Sequence, residues 1–186
     1  MHRRNTIRTT ARRTATGVVG VLAIAGASLA IATPGQTAVP RCFGTAATIV
    51  GTETADIIIG TAARDVIVAL GGQDNITGLG GNDLICGNTG SDTIDAGDGN
   101  DKVNGDGSGD VIAGGFGDDL IIAKGGNDEV QGGFGKDVIR GGNSDDTMEG
   151  DEGDDTITGN KGADSADGGL GTDTCNAEIE VLCEKN

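Results

Sequence analysis

Gly114-Gly115-Phe116-Gly117-Asp118-Asp119-Leu120-Ile121-Ile122 is a nine-residue unit that the chain uses over and over: from Gly51 to Asn176 the sequence divides into 14 such nonapeptides with no insertion or deletion. The sixth position is aspartate every time: Asp56, Asp65, Asp74, Asp83, Asp92, Asp101, Asp110, Asp119, Asp128, Asp137, Asp146, Asp155, Asp164 and Asp173. The eighth is Ile or Val in 11 of the 14 units, with Met148, Ala166 and Cys175 as the exceptions. The first position is Gly in 11 units and the fourth is Gly in ten, as turns with positive φ or close backbone approach require.

Each unit reads as a six-residue Gly-rich turn followed by a three-residue strand whose middle side chain points inward. Two units make an 18-residue coil, and successive coils pair as parallel strands about 4.8 Å apart. The expected fold is all-β: a parallel β-solenoid of about seven coils, a rod on the order of 34 Å long. Its core is two facing files of β-branched residues.

Periodicity here overrides composition. With 36 Gly, three Phe and neither Trp nor Tyr in 186 residues, the chain lacks the large side chains of an ordinary core and would otherwise suggest a flexible acidic polymer. The chemistry of enzymes is thin. The only histidine is His2, Ser and Thr have no histidine partner, and the many carboxylate pairs single out no acid/base couple, so no enzymatic activity is expected.

Units such as Gly114 to Ile122 and Gly132-Gly133-Phe134-Gly135-Lys136-Asp137-Val138-Ile139-Arg140 resemble the repeats-in-toxin (RTX, hemolysin-type) calcium-binding nonapeptide repeat, and the resemblance covers residues 51–176. It implies a right-handed parallel β-roll with multiple Ca2+ ions between stacked turns, liganded by sixth-position aspartates and turn carbonyls. The residues lead to the same ion. In the coil arrangement aspartates 18 residues apart stack on one edge, and two unit charges about 4.8 Å apart repel by roughly 1 kcal/mol even at water's dielectric. Ca2+ takes six to eight hard oxygen ligands in flexible geometry, whereas Mg2+ demands tighter octahedral geometry and keeps its waters. Softer metals find no ligands, because no His lies beyond residue 2 and the cysteines fall outside the turns.

The expected ligands are Asp83, Asp101, Asp119, Asp137, Asp155 and Asp173 on one edge and Asp74, Asp92, Asp110, Asp128, Asp146 and Asp164 on the other. Gly fills 16 of 21 first, second and fourth turn positions on the edge from Asp65 to Asp173 but 10 of 21 on the other, where Leu70, Asp106, Ser108, Lys124 and Ser144 intrude. The stronger sites are therefore expected on the first edge, from Asp83 through Asp173. The opening turns, Gly51 to Asp56 and Gly60 to Asp65, lack Gly at the fourth position and are expected to form a cap with weak or no metal.

Residues 1–38 form a separate segment: Arg3, Arg4, Arg8, Arg12 and Arg13 precede an uncharged apolar run from Gly17 to Ala32, the layout of a secretory signal peptide cleaved near Ala38. That run is shorter than a membrane span. Removal of the segment leaves eight basic and 29 acidic residues, a net charge of −21. Nucleic acid and anionic membrane surfaces would repel such a chain, so neither nucleic acid nor membrane insertion is expected, and calcium ions are the expected partners. About ten divalent ions would bring the charge near neutrality, so metal binding and folding are expected to be linked.

Export makes disulfides available to Cys42, Cys86, Cys175 and Cys183, whose spacing fits no zinc pattern. A Cys175–Cys183 bridge would fold the tail over the open end of the core. Cys42 and Cys86 are then the remaining pair, though 44 residues is about 12 Å along the axis at the sheet spacing, so the starting segment would have to fold back along the roll. A different pairing and free thiols stay open.

The expected organisation is a signal peptide over 1–38, an N-terminal cap over 39–50, the roll over 51–176 and a C-terminal cap over 177–186; within the first cap Cys42 to Val50 keep the nine-residue register, with Ile49 inward and Ala47 where Asp would be, and read as a metal-free starter coil. Phe116 and Phe134, one coil apart, are expected to stack, and Val66, Leu84, Leu120 and Val138 to share an outward file. The expected function is that of a secreted, extracellular calcium-binding roll serving as a structural or adhesive module. A calcium buffer or sensor, or an accessory subunit of a secreted enzyme, are the alternatives.

Overall fold

The computed structural model describes residues 38–181 and Cys183; the expected signal peptide, but for Ala38, lies outside the described residues. Two eight-stranded parallel sheets make up the roll. One holds Ile49–Val50, Val66–Val68, Leu84–Thr89, Lys102–Gly107, Leu120–Gly125, Val138–Asn143, Thr156–Lys161 and Thr174–Asn176. The other holds Ile57–Ile59, Asn75–Thr77, Thr93–Asp98, Val111–Phe116, Glu129–Phe134, Thr147–Glu152, Ser165–Asp167 and Ile179–Val181. The chain crosses between them once per nonapeptide, and the register is 18 residues throughout the repeats: Ile112 pairs with Ile94 and Val130, Ile121 with Val103 and Ile139. The described residues contain no helix. This is the β-solenoid of about seven coils that the repeat dictates.

The eighth-position side chains run as one buried cluster from Ile58 to Ala166, with Ile49 and Cys175 packed against its two ends. Ala69, Ala96 and Ala123, the three alanines at the first position, join the same core. At about 25 cal/mol per Å2 of apolar surface buried, a single file of Ile and Val on each sheet gives each coil only a modest hydrophobic gain, so the turns that join the sheets decide whether the coils close.

In the middle coils the strands are twice the expected length. Leu84–Thr89 and its neighbours run six residues, because the second and third positions of each following turn also pair between coils, as in Gly115 with Gly133 and Phe116 with Phe134. Identical residues at identical spacing adopt the same backbone in every coil, so their N–H and C=O groups meet in register. The two phenylalanines stack, with ring centroids 4.7 Å apart and planes inclined by 8°.

The N-terminal segment departs from a starter coil. Arg41–Cys42 and Thr45–Ala46 form an antiparallel hairpin through a turn at Phe43-Gly44, and only Ile49–Val50 enters the roll, pairing with Ile67 and Val68. The Cys42–Cys86 disulfide, Cα–Cα 5.7 Å, folds this hairpin back along the outside of the sheet. Cys42, Val66, Val68, Leu84 and Cys86 there form a second buried apolar cluster with Ala47 and Leu70 against it. Half of the expected outward file is thus covered. At the other end Cys175 pairs with Cys183, and Ile179–Val181 adds a last strand beside Ser165–Asp167, 14 residues on rather than 18.

Candidate metal-binding turns

Burial of the fourteen sixth-position aspartates follows from the stacking. From Asp74 onward each carboxylate reaches across the inter-coil gap, and its Oδ1 accepts the main-chain N–H of the aspartate 18 residues earlier. Twelve such bonds run unbroken from Asp56 N–H donating to Asp74 through Asp155 N–H donating to Asp173, at 2.7–3.0 Å. Asp164 N–H completes the second edge by donating to Glu178 Oε2 at 2.9 Å, so a glutamate outside the repeat register stands where the next aspartate would be. A second ladder runs outside the first in the opposite direction: fifth-position Asp118, Asp145 and Asp154 accept the N–H of Lys136, Ala163 and Thr172 in the following coil. Neither Glu178 nor this outer ladder was read from the sequence. The recurrence of Asn and Asp at the fifth position was the available signal for the latter.

The other carboxylate oxygen divides the turns into two kinds. In Asp74, Asp83, Asp92, Asp101, Asp110, Asp119, Asp128, Asp137, Asp146, Asp155, Asp164 and Asp173, Oδ2 is buried with no hydrogen-bond partner. These are the twelve residues expected to carry metal, and none is more than 3 % exposed. In each of their turns the second and fourth residues have positive φ, from Leu70 and Gly72 to Gly169 and Gly171. In the two opening turns no residue does, and Oδ2 is satisfied: Asp56 accepts from Thr52 N–H and Oγ1 at 2.6 and 2.9 Å, Asp65 from Thr61 N–H and Oγ1 at 2.7 and 2.9 Å.

A buried carboxylate oxygen without a donor is costly, and twelve in two files suit a bound cation. The surroundings supply further oxygens. A methyl placed on Gly114 would sit 2.5 Å from both Asp119 Oδ2 and the Gly132 carbonyl oxygen, so these acceptors crowd a space that holds no donor. Among the described residues no three His, Cys, Asp or Glu side chains converge, so a cation here must draw on main-chain carbonyls as well as carboxylates. That donor set, all hard oxygen, fits Ca2+.

Charge on these carboxylates is unfavourable without metal. Burial pushes Asp110 and Asp119 up to about 7 and Asp74, Asp83, Asp137, Asp146 and Asp155 to about 6; the N–H from the preceding coil offsets part of this, and repulsion from neighbouring aspartates adds to it. A carboxyl whose folded value lies above its unfolded value near 3.8 favours the folded state fully below pH 4 and loses that contribution as pH rises through 6 to 7. In chelator, therefore, the metal-free protein is expected to hold more β-structure at pH 5 than at pH 8. In Ca2+ the order reverses, because the ligands must be deprotonated. Thermal melts followed by circular dichroism at the two pH values, with and without chelator, check both signs.

The two edges differ in strain. Leu70, Asn88, Asp106, Ser108, Lys124, Ser144 and Asn160 take positive φ on the second edge, against Leu79 and Asp151 on the first. A non-glycine residue costs about 1 kcal/mol or more in that region, so the second edge carries the larger burden. Lys124 also contacts Asp106 one coil away, placing a fixed cation against that edge.

Comparison with known proteins matches the same register. A family model described as RTX calcium-binding nonapeptide repeat (4 copies) matches residues 50–85, 87–121, 114–148, 122–157 and 140–175. The chain belongs to the RTX calcium-binding nonapeptide repeat family. No curated protein matches it. As an RTX repeat protein it is a calcium-binding β-roll, and the matched span takes in all twelve turns with an unpartnered Oδ2.

Proposed function

We propose that this RTX protein is a secreted, non-enzymatic structural or adhesive module whose coils close when Ca2+ occupies the twelve turns from Asp74 to Asp173. The observation that carries the reading is the set of twelve buried, unpartnered Oδ2 atoms in turns that share one backbone form. Asp74, Asp83, Asp92, Asp101, Asp110, Asp119, Asp128, Asp137, Asp146, Asp155, Asp164 and Asp173 would hold the ions together with turn carbonyls. Bound Ca2+ supplies positive charge between coils. The chain's own part is to hold each Oδ1 on a main-chain N–H, which fixes the carboxylate plane and leaves Oδ2 free as a ligand. The first edge, with fewer strained residues, binds more tightly. Two disulfides support an oxidising, extracellular setting. The module reading over catalysis is supported by the uniformity of the ladder, in which no aspartate stands apart as an acid or base.

A far-UV circular dichroism titration of residues 39–186 from chelator into millimolar Ca2+, with Mg2+ in parallel, tests this. A cooperative gain of β-structure with Ca2+ and not with Mg2+ is expected. A spectrum unchanged by Ca2+ would sink the reading.

A further inference from the structure

The two opening turns are built differently from the twelve that follow. Where the later turns place a left-handed residue at the second position, these place Thr52 and Thr61, whose φ stays out of that region. Thr is poorly suited to positive φ, because its branched Cβ crowds the backbone there. With the ordinary conformation the main-chain N–H of each threonine turns onto the aspartate Oδ2, and the hydroxyl follows it to the same atom. The hydroxyl oxygen in turn accepts the N–H two residues on, from Thr54 at 3.3 Å and Ala63 at 3.2 Å, which braces the turn. Asp56 and Asp65 are therefore the only sixth-position aspartates in the roll whose Oδ2 has donors. The same end of the roll carries the Cys42–Cys86 bridge and the second apolar cluster around Cys42, Val66 and Leu84. Thus the coil that lacks an orphaned oxygen also has a covalent clamp and extra buried surface.

We infer that Thr52 and Thr61 stand in for the cation in their turns, so that residues 45–68, clamped to Cys86, stay folded without Ca2+ as the preformed end on which the calcium-dependent coils stack. This rests on the proposed calcium reading for the remaining coils and adds a division of the roll into a metal-independent end and a metal-dependent body.

Hydrogen exchange by mass spectrometry on the oxidised full-length chain tests it, in chelator and in millimolar Ca2+, with the Thr52→Ala/Thr61→Ala and Thr52→Ser/Thr61→Ser variants beside it. In chelator, peptides within 45–68 are expected to exchange at least tenfold more slowly than peptides within 102–161. The alanine pair loses that protection, and the serine pair, which keeps both hydroxyls, retains it. In Ca2+ all three proteins show the protected body, so that a general failure to fold is told apart from loss of the stand-in. Uniformly fast exchange in chelator with protection only in Ca2+ overturns this inference and leaves the calcium reading intact. Protection at 45–68 that the alanine pair does not disturb overturns the role of the threonines. Uniform protection in chelator, unchanged by Ca2+, overturns the calcium reading and this inference with it.

Discussion

Gly117→Ala is expected to lower stability in saturating Ca2+ by about 4 kcal/mol, a fall of about 10 °C in Tm for a chain of this length. Gly117 is the fourth residue of its turn and has φ +127°, a conformation that L side chains rarely adopt. Space is closed to it as well: a methyl there would land on the carbonyl of Gly99 one coil away, and Gly135 stands in the same relation to Gly117. The clash is with main chain, so no side-chain rotation relieves it. Gly107→Ala is the matched control. That glycine sits at the third position of its turn with no heavy atom within 4 Å of an added Cβ and no left-handed φ, so the substitution changes stability by less than about 0.5 kcal/mol. Thermal or urea denaturation of the two variants side by side separates a requirement for glycine at particular turn positions from a general preference for flexibility. Equal losses at both positions would show that the stacked-turn geometry does not govern stability.

Asp119→Asn is expected to change sign with the solution. An asparagine oxygen can still accept the N–H of Asp101, which now donates to Asp119 Oδ1 at 2.8 Å, so the ladder survives. What disappears is a buried charge. Holding this carboxyl at about 7, through burial first and the neighbouring aspartates after it, rather than near 3.8 corresponds to at most about 4 kcal/mol, and proton sharing along the file cuts the gain from removing it to about 2 kcal/mol. In chelator at pH 8 the folded state of the variant is therefore favoured relative to that of the parent, and the variant retains more β-structure. In Ca2+ it is less stable, because a ligand is lost from the turns above and below and the stabilisation by bound ions falls with their affinity. Melting curves of both proteins in both solutions, with calcium stoichiometry by calorimetry, check the crossing. A variant less stable than the parent in chelator too would show that Asp119 acts as a structural hydrogen-bonding group rather than as a stored charge.

The coil, its core and the twelve aspartates were legible because each is a repeated position: a residue type that recurs every nine places declares where it sits before any contact is known. The Cys175–Cys183 bridge was suggested by the same frame, since Cys175 lies in the inward file, whereas Cys42–Cys86 was only the pair that remained. Legibility failed where a residue acts once. Thr52 and Thr61 were noticed only as part of turns lacking glycine at the fourth position, although Gly-Thr at the head of two successive units was the mark of a different turn. Glu178 escaped because the last strand slips from an 18-residue to a 14-residue register, which no periodicity reveals. The hairpin at Arg41–Ala46 also escaped: Ile49 keeps the nine-residue phase, and extending that phase backwards to Cys42 made a coil of residues that the disulfide instead pins against Val66 and Leu84.

Mechanical load finds a directional material in this stack. Ladder bonds between coils, main chain and aspartate alike, lie along the rod, while the strands run across it, so tension applied between the ends opens one inter-coil seam at a time rather than shearing a whole sheet. Each seam that parts frees 18 residues, about 60 Å of extended chain. The first seam is bypassed by the covalent tie between Cys42 and Cys86, whereas the tie at the far end, from Cys175 to Cys183, spans only eight residues. A stack of this design is expected to pay out in equal lengths from its C-terminal end and to keep its N-terminal coil until last.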